Sequence, residues 1–265
     1  MNRKQSNIVK ILIIIFCEIL IISSLIISLK YSQKNNPKEQ EINNNENEIV
    51  IENNPEEEKL KTIYNENKAI NLDYVGQIYF ESKLIDLPFV HGSYNDKYMR
   101  TDWKTGSYDV GGSIFLEATN DILNDQNTII YGHNFDLSLD PSSTKMFSPL
   151  RALMDKNNYE NNKIIYLFLG DRIRKYEIVY VYKAKVVQDG DIQYLADNEP
   201  FYDTKNFNEI EFTDYINKVK EREYYDTGKT ILYSDKMLTL QTCIDYEIDK
   251  LIINAKLIEE TMINS

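Results

Sequence analysis

The sequence predicts a mainly β fold with connecting helices, and three observations indicate it. After Asn71 the chain consists of short runs rich in β-branched and aromatic residues, separated by Gly, Asn and Asp. About eight such runs occur, a number suited to a closed barrel or a sandwich. Hydrophobic residues make up 42% of the 265-residue chain, which is typical of a globular protein rather than a disordered one. We therefore expect a single barrel whose helices serve as connections.

Each predicted strand is a run of apolar or alternating residues bounded by turn-forming residues. In chain order the runs are 76–82, 111–118, 127–133, 163–170, 174–187, 229–234, 236–243 and 250–258. No run repeats another, so we expect one barrel rather than an array of repeated units.

Three further segments show helical patterns. Residues 55–71 begin with a proline and three glutamates, which favour the first turn of a helix. Residues 147–158 offer Ser148 as N-cap and Pro149 at the first helical position. Residues 208–225 place a set of apolar side chains on one face. That set is Phe212, Tyr215, Ile216 and Val219.

The first 58 residues precede the predicted globular domain, which we place at 59–265. Residues 11–29 form an apolar run of the length that spans a bilayer, and basic residues precede it within 1–10. No small-residue cleavage site follows, which favours an uncleaved signal-anchor over a cleaved signal peptide. Residues 30–58 are rich in Asn and Glu, as in a solvated linker. We expect a single-pass protein of the cell membrane, with 1–10 cytoplasmic and the linker and domain extracellular.

The net charge of −12 argues against a nucleic-acid partner, because phosphates would meet repulsion over most of the surface. This leaves proteins, peptides and small molecules as the partner classes to consider.

Two side-chain types point to chemistry. Of the two cysteines, only Cys243 lies in the predicted extracellular part, where cysteines usually pair as disulfides. A lone thiol there is either a buried structural residue or a reactive one. The two histidines, His91 and His133, both lie at strand-to-turn boundaries. A thiol and an imidazole are the minimum set for acyl transfer through a thioester. Their spacing matches no metal site, so we expect neither metal nor cofactor.

Two motifs resemble those of the sortase family. TLQTC at 239–243 resembles the family's TLxTC signature, and YGHN at 131–134 resembles its catalytic-histidine segment. The resemblance runs in order from about residue 70 to 258, and several stretches are similar to the class B branch. Those stretches are LPFVHGSYNDKYMR, GGSIFLEATN, KMFSPLRALMDKNNY and FTDYINKVKEREYYDTG.

The resemblance implies an eight-stranded sortase-like β-barrel with an N-terminal helix and a helix in the loop before the seventh strand. It also implies a membrane-anchored cysteine transpeptidase that cleaves a C-terminal sorting motif with a Pro-x-Thr core. Cys243 would hold the Thr carbonyl as a thioester, and His133 would act as acid and base. The partners would be surface proteins that bear the motif, an amine of a cell-wall precursor or of peptidoglycan, and the membrane.

One position departs from the family pattern. The family has an arginine at the start of the last strand, whereas no arginine follows Cys243 and the matching residue is Lys250. Lysine supplies a point charge in place of a planar fork of donors. Three interpretations stay open: Lys250 replaces the arginine, Arg172 or Arg174 reaches the site, or activity is weak or lost.

The candidate substrate-binding residues are Leu240, Gln241 and Thr242 of the motif and Tyr215 of the helix that would form a wall of the groove. Gln241 stands where the class B signature commonly has serine. Thr242 would either offer its hydroxyl or backbone N–H to an oxyanion or be a buried strand residue.

Two other functions compete with transpeptidation at a sorting motif. A catalytically silent relative would bind sorting motifs or wall components without turnover, and Lys250 keeps this hypothesis open. A transpeptidase of peptidoglycan stems or a papain-like protease is disfavoured, because no glycine adjoins the thiol and His133 precedes Cys243 in the chain.

Overall fold

The computed structural model describes residues 55–135, 145–189, 192–244 and 249–263. Eight strands close into a barrel, which confirms the predicted fold class. They are β1 (Tyr74–Phe80), β2 (Asp86–Val90), β3 (Ile114–Leu116), β4 (Asn127–Tyr131), β5 (Ile164–Phe168), β6 (Arg172–Ala184), β9 (Met237–Ile244) and β10 (Asp249–Met262). A separate hairpin consists of β7 (Val186–Asp189) and β8 (Ile192–Leu195).

The strand order around the barrel is β1, β2, β3, β4, β9, β10, β6, β5 and back to β1. Neighbouring strands are antiparallel except for the β2–β3 and β4–β9 pairs, which are parallel. Closure of this ring gives each barrel strand a hydrogen-bonded neighbour on both sides, although β3 covers only the end of β2.

The strands alternate between the barrel interior and its outer face, as the period of two requires. On β10, Leu251 and Ile253 join the interior cluster, whereas Ile252 belongs to a second cluster on the outer face. On β9, Leu238 and Leu240 are interior residues, so Gln241 and Cys243 are directed outward. The residues with candidate chemistry are therefore presented on the outside of the barrel.

The predicted strand 229–234 is wrong, and β2 takes its place in the barrel. Within 229–234, Ile231 is buried against the second cluster, but Leu232 and Tyr233 are exposed. The Asp235 carboxylate accepts the Leu232 N–H at 2.7 Å and bends the chain into a turn. The segment pairs with no described strand, so its local β pattern goes unused.

The sequence pattern does not predict β2, because the strand contains Pro88 and a proline usually excludes a run from the middle of a sheet. The structure tolerates it because β2 pairs with β3 only through Phe89 and Val90, one residue after the proline. The run 174–187 is also divided, since β6 ends at Ala184 and β7 begins the outer hairpin at Val186.

The described part of the chain contains three α-helices: α1 (Pro55–Ile70), α2 (Tyr159–Asn162) and α3 (Glu209–Lys220). The predicted N-terminal helix is confirmed as α1. The predicted helix 147–158 is instead two 3₁₀ helices, Ser148–Met154 and Lys156–Asn158, which lead into α2. Ser148 is the first residue of its helix rather than the N-cap, which is Phe147, and its hydroxyl accepts the Phe135 N–H at 2.7 Å.

Helix α3 lies in the connection before β9, the seventh barrel strand, as predicted. A capping box between Asn208 and Glu211 fixes its start. It ends at Lys220 rather than near 225, because Tyr224 donates its N–H to Val181 and pairs the chain with β6. All four side chains of its predicted apolar face are buried.

Among the described residues, no helix has both the length and the apolar character needed to cross a membrane. The predicted segments 1–10 and 11–29, and residues 30–54 of the predicted linker, lie outside the described ranges.

Candidate active site

The parallel pairing of β4 with β9 brings His133 level with Cys243. The register pairs Tyr131 with Gln241, and Gly132 then donates its N–H to the Gln241 carbonyl at 3.1 Å. His133 lies two residues after Tyr131, and Cys243 lies two residues after Gln241. The structure therefore brings the predicted acid/base and the predicted nucleophile to neighbouring strand ends.

Gly132 permits close packing immediately before His133. A Cβ atom at this position would lie 2.4 Å from Ile114 Cδ1 and 2.7 Å from the Phe147 ring. Both neighbours are core side chains, so neither is free to move aside. The backbone that carries His133 is thus pressed against the barrel core.

The antiparallel pairing of β9 with β10 brings Lys250 to the same place. Lys250 pairs directly with Cys243, and its Nζ lies 3.1 Å from Cys243 Sγ. Lys250 is only 9% exposed, whereas Cys243 is half-buried and open to a ligand. A desolvated ammonium acts on neighbouring negative charge more strongly than one in water. It is placed to stabilise negative charge on the sulfur or on a substrate oxygen bound there.

His133 is held from two sides. Its Nε2 lies 2.8 Å from the Met99 carbonyl, which accepts hydrogen bonds only, so Nε2 carries the hydrogen in this arrangement. The His133 carbonyl accepts the Phe147 N–H at 2.9 Å. These contacts fix the segment after β4 and hold the imidazole ring in one orientation.

Cys243, His133, Lys250 and Gln241 line one cavity of about 420 Å³. The remaining lining residues come from the segment after β2, from β3 and β4, and from the loop after β8. They are Asn95, Asp96, Met99, Phe115, Tyr131, Gly132 and Tyr202. The cavity combines an aromatic wall with a thiol, an imidazole and an ammonium, which suits an extended peptide whose carbonyl is to be attacked.

Two tyrosines of this wall remain protonated well above neutral pH. Burial raises the pKa of Tyr131, and the nearby Glu117 carboxylate raises it further. Burial also raises the pKa of Tyr202, with smaller effects from Asp203 and Cys243. Glu117 accepts hydrogen bonds from Tyr131 at 2.9 Å and from Asn95 at 2.6 Å. These bonds fix two side chains of the cavity wall.

The other predicted substrate-binding residues lie in the protein interior. Leu240 is part of the barrel core. Thr242 is fully buried, and its hydroxyl donates to the Gly132 carbonyl at 2.7 Å. Tyr215 is buried in the second cluster, where its hydroxyl donates to Asn254 Oδ1 at 2.9 Å. Of the four, only Gln241 lines the described wall of the cavity.

Arg172 and Arg174 do not reach the site, so that interpretation is wrong. Arg172 pairs with Asp171 and Glu260, and Arg174 pairs with Glu260. Glu260 lies ten positions beyond Lys250 on β10, which is roughly 30 Å of strand. Among the residues that the structure describes, Lys250 is therefore the cation that lies beside the Cys243 sulfur.

The aromatic wall escaped prediction because its members come from separate loops and strands. Tyr202, Phe115 and Met99 have no shared spacing in the sequence, and 20 tyrosines offer no way to single one out. Asn95 and Met99 stand in one stretch that shows the class B resemblance and Phe115 in another, which is a usable signal. Among the described residues, no three His, Cys, Asp or Glu side chains come together as metal ligands.

Comparison with known proteins agrees with this geometry. A family model described as the sortase domain matches residues 81–258. Sortase B of Listeria monocytogenes is 30% identical over 196 residues, which are 72% of each chain. The solved Clostridium perfringens sortase B is 26% identical with a TM-score of 0.61, and covers 74% of this chain and 99% of its own.

A Staphylococcus aureus sortase B–substrate complex is 23% identical with a TM-score of 0.62, and it covers 76% of this chain and 86% of its own. This second structure supports the fold alone. Together with the match of the family model over most of the domain, these similarities show that the chain belongs to the sortase family of cysteine transpeptidases, with class B sortases as its relatives.

Proposed function

We propose that this chain is a membrane-anchored class B sortase that joins surface proteins to the cell wall. It cleaves a C-terminal sorting motif with a Pro-x-Thr core, holds the Thr carbonyl on Cys243, and passes it to an amine of a cell-wall precursor or of peptidoglycan. The observation that carries this proposal is the meeting of Cys243, His133 and Lys250 in one cavity.

The first half of the reaction is acylation. The Cys243 thiol gives its proton to His133, and the thiolate sulfur attacks the Thr carbonyl carbon while the electron pair of the C=O bond moves to its oxygen. Lys250 stabilises this oxyanion, because its ammonium lies beside the sulfur to which the carbon becomes bonded. When the C–N bond breaks, protonated His133 gives a proton to the departing amine, and a thioester remains.

The second half of the reaction transfers the acyl group to the acceptor amine and frees the Cys243 sulfur. The acceptor amine attacks the thioester carbonyl, and neutral His133 removes a proton from it. The C–S bond then breaks and the sulfur leaves as a thiolate, for which the Lys250 ammonium is a close counter-charge. No redox step or additional reactant is needed, and the energy of the cleaved peptide bond is conserved in the new amide.

The test is intact-mass analysis of residues 55–265 incubated with peptides that contain Pro-x-Thr cores. We expect a mass increase equal to the fragment that ends at the Thr, and its release as a hydroxamate by hydroxylamine. The peptide that gives the adduct identifies the motif. Absence of any adduct, with a folded domain and a thiol that reacts with iodoacetamide, contradicts the proposed activity.

For localisation we propose that residues 11–29 anchor the chain, with the catalytic domain outside the cell. The apolar run and the polar linker that follows it support this arrangement. Protease added to intact cells should then remove the domain. Protection of the domain in intact cells, together with digestion after lysis, would contradict it.

The competing hypothesis of a silent relative is decided by substitutions at Lys250. If Lys250 has the role of the family arginine, Lys250→Ala should lower kcat/KM for thioester formation by about 10²–10³-fold, as for loss of one oxyanion donor. Lys250→Arg should keep or raise the wild-type rate, since the guanidinium also carries charge and donors. Single-turnover kinetics with the identified peptide measures both.

Lys256→Ala is the matched control, because Lys256 is on the same strand but pairs with Asp235 at 2.8 Å. It should leave the rate within about two-fold, as for most surface substitutions. If Lys250→Ala and Lys250→Arg behave alike, the position has no catalytic role. A folded wild type that binds the peptide without reacting would favour the silent relative.

A further inference from the structure

The side chain of Asn134 continues the hydrogen-bonded pairing of β4 with β9 beyond the last backbone hydrogen bond between them. Gly132 donates its N–H to the Gln241 carbonyl at 3.1 Å. In a parallel ladder the next donor on this side would be the backbone N–H two residues later, facing the Cys243 carbonyl. The Cys243 carbonyl instead accepts a hydrogen bond from Asn134 Nδ2 at 2.8 Å.

The backbone of this segment is engaged elsewhere. The His133 carbonyl accepts the Phe147 N–H at 2.9 Å, and Asn134 forms an isolated bridge with Met146. Phe135 donates its N–H to the Ser148 hydroxyl. The chain has thus turned away from β9 toward residues 146–148, and the Asn134 amide keeps the nucleophile's strand attached to the histidine's segment.

Asn134 differs from the other buried asparagines in how its amide is satisfied. Asn120, Asn127 and Asn254 use both ends of the side chain in hydrogen bonds. Asn134 is only 6% exposed, yet its Oδ1 accepts no hydrogen bond from the residues that the structure describes. A buried acceptor without a donor costs free energy. The residue therefore contributes through its donor, the Nδ2 bond to the carbonyl of Cys243.

We propose that Asn134 is a positioning residue that sets the relative placement of the thiol and the imidazole. Its backbone directly follows His133, and its side chain holds the carbonyl of Cys243. One residue thus connects the nucleophile to the acid/base without touching the substrate. The effect on turnover rests on the proposed transpeptidase function, whereas the hydrogen bond itself does not.

The test compares Asn134→Asp with Asn158→Asp. Aspartate matches asparagine in shape, but its carboxylate has no N–H to donate. Asn158 provides the control, because its Nδ2 donates to the Ala152 carbonyl at 2.8 Å and it lies outside the cavity lining. We expect Asn134→Asp to lower kcat of thioester formation by about 10–100-fold, as for a small misplacement of reacting groups. KM should stay within about two-fold, and Asn158→Asp should leave kcat unchanged.

A pH profile separates positioning from simple destabilisation. A buried carboxyl group tends to bind a proton more readily, and its protonated form regains an O–H donor. The ratio of the Asn134→Asp rate to the wild-type rate should therefore rise as the pH falls. Unchanged kcat, an equal loss in Asn158→Asp, or a rate ratio that decreases as the pH is lowered would overturn the proposal.

Hydrogen exchange tests the bond without a peptide substrate. Exchange over residues 241–244 should be faster in Asn134→Asp than in the wild type, and unchanged there in Asn158→Asp. If the wild type forms no thioester but exchange responds in this way, the proposed function fails while the structural link stands. If the wild type forms the thioester but exchange over residues 241–244 is unchanged in Asn134→Asp, the positioning role of Asn134 is contradicted and the proposed function stands.

Discussion

Replacing Cys243 by alanine should abolish thioester formation and transfer, with a loss of at least about 10⁴-fold in kcat, as for removal of a catalytic nucleophile. The reason is that the described structure holds one cysteine, and no other side chain of the cavity can form a thioester. The other cysteine of the chain, Cys17, belongs to the predicted membrane segment. Intact-mass analysis and peptide cleavage measure the loss.

The same variant should still bind the peptide, because Cys243 is half-buried and its truncation leaves the β9 pairing in place. Peptide affinity measured by calorimetry should therefore remain near that of the wild type. Peptide cleavage by pure Cys243→Ala protein would contradict the assignment of the nucleophile. Loss of both cleavage and binding would indicate that the variant is misfolded, which its thermal unfolding curve would show.

Replacing His133 by alanine should lower kcat by about 10²–10⁴-fold, because the leaving amine would depart without a proton. The size of the loss should depend on the leaving group. A Thr thioester or activated ester has a leaving group that needs no proton, so its acyl transfer to Cys243 should be reduced far less than that of the amide. Pre-steady-state measurement with matched amide and ester substrates tests this.

His91→Ala is the matched control, since His91 also follows a strand and its Nε2 lies 2.9 Å from the Ala118 carbonyl. His91 does not line the described wall of the cavity. Its variant should retain the wild-type rate within about two-fold when corrected for the folded fraction. Equal losses in both variants, or equal losses for amide and ester in His133→Ala, would contradict the acid/base role of His133.

The reactive residues are predictable from the sequence because their motifs are local. A thiol at the end of TLQTC and a histidine in YGHN are each defined within five residues. The Lys250 position follows from one strand start, although its 3.1 Å approach to the sulfur requires the register of β9 with β10. The cavity wall is not predictable in this way, since Tyr202 and Phe115 come together only through tertiary structure.

The strands show the same limit. Residues 229–234 have a β pattern but pair with no described strand. The strand that contains Pro88 pairs with β1 on one side and, through the two residues after the proline, with β3 on the other. A strand exists because a neighbour accepts its hydrogen bonds, and the local pattern reports only whether its side chains suit that place. Leu240 and Thr242 illustrate the point within the motif itself. The period of two directs them inward, away from Cys243 and Gln241.

The parallel pairing of β4 with β9 has a consequence for how the enzyme is made. It joins segments that are about 110 positions apart in the chain. Contacts of such separation form slowly, because a long loop must be closed before they are gained. Thiol and imidazole thus become neighbours only when the barrel closes. A chain that is still folding has a cysteine but no paired histidine, so catalytic competence arises together with the completed domain rather than before it.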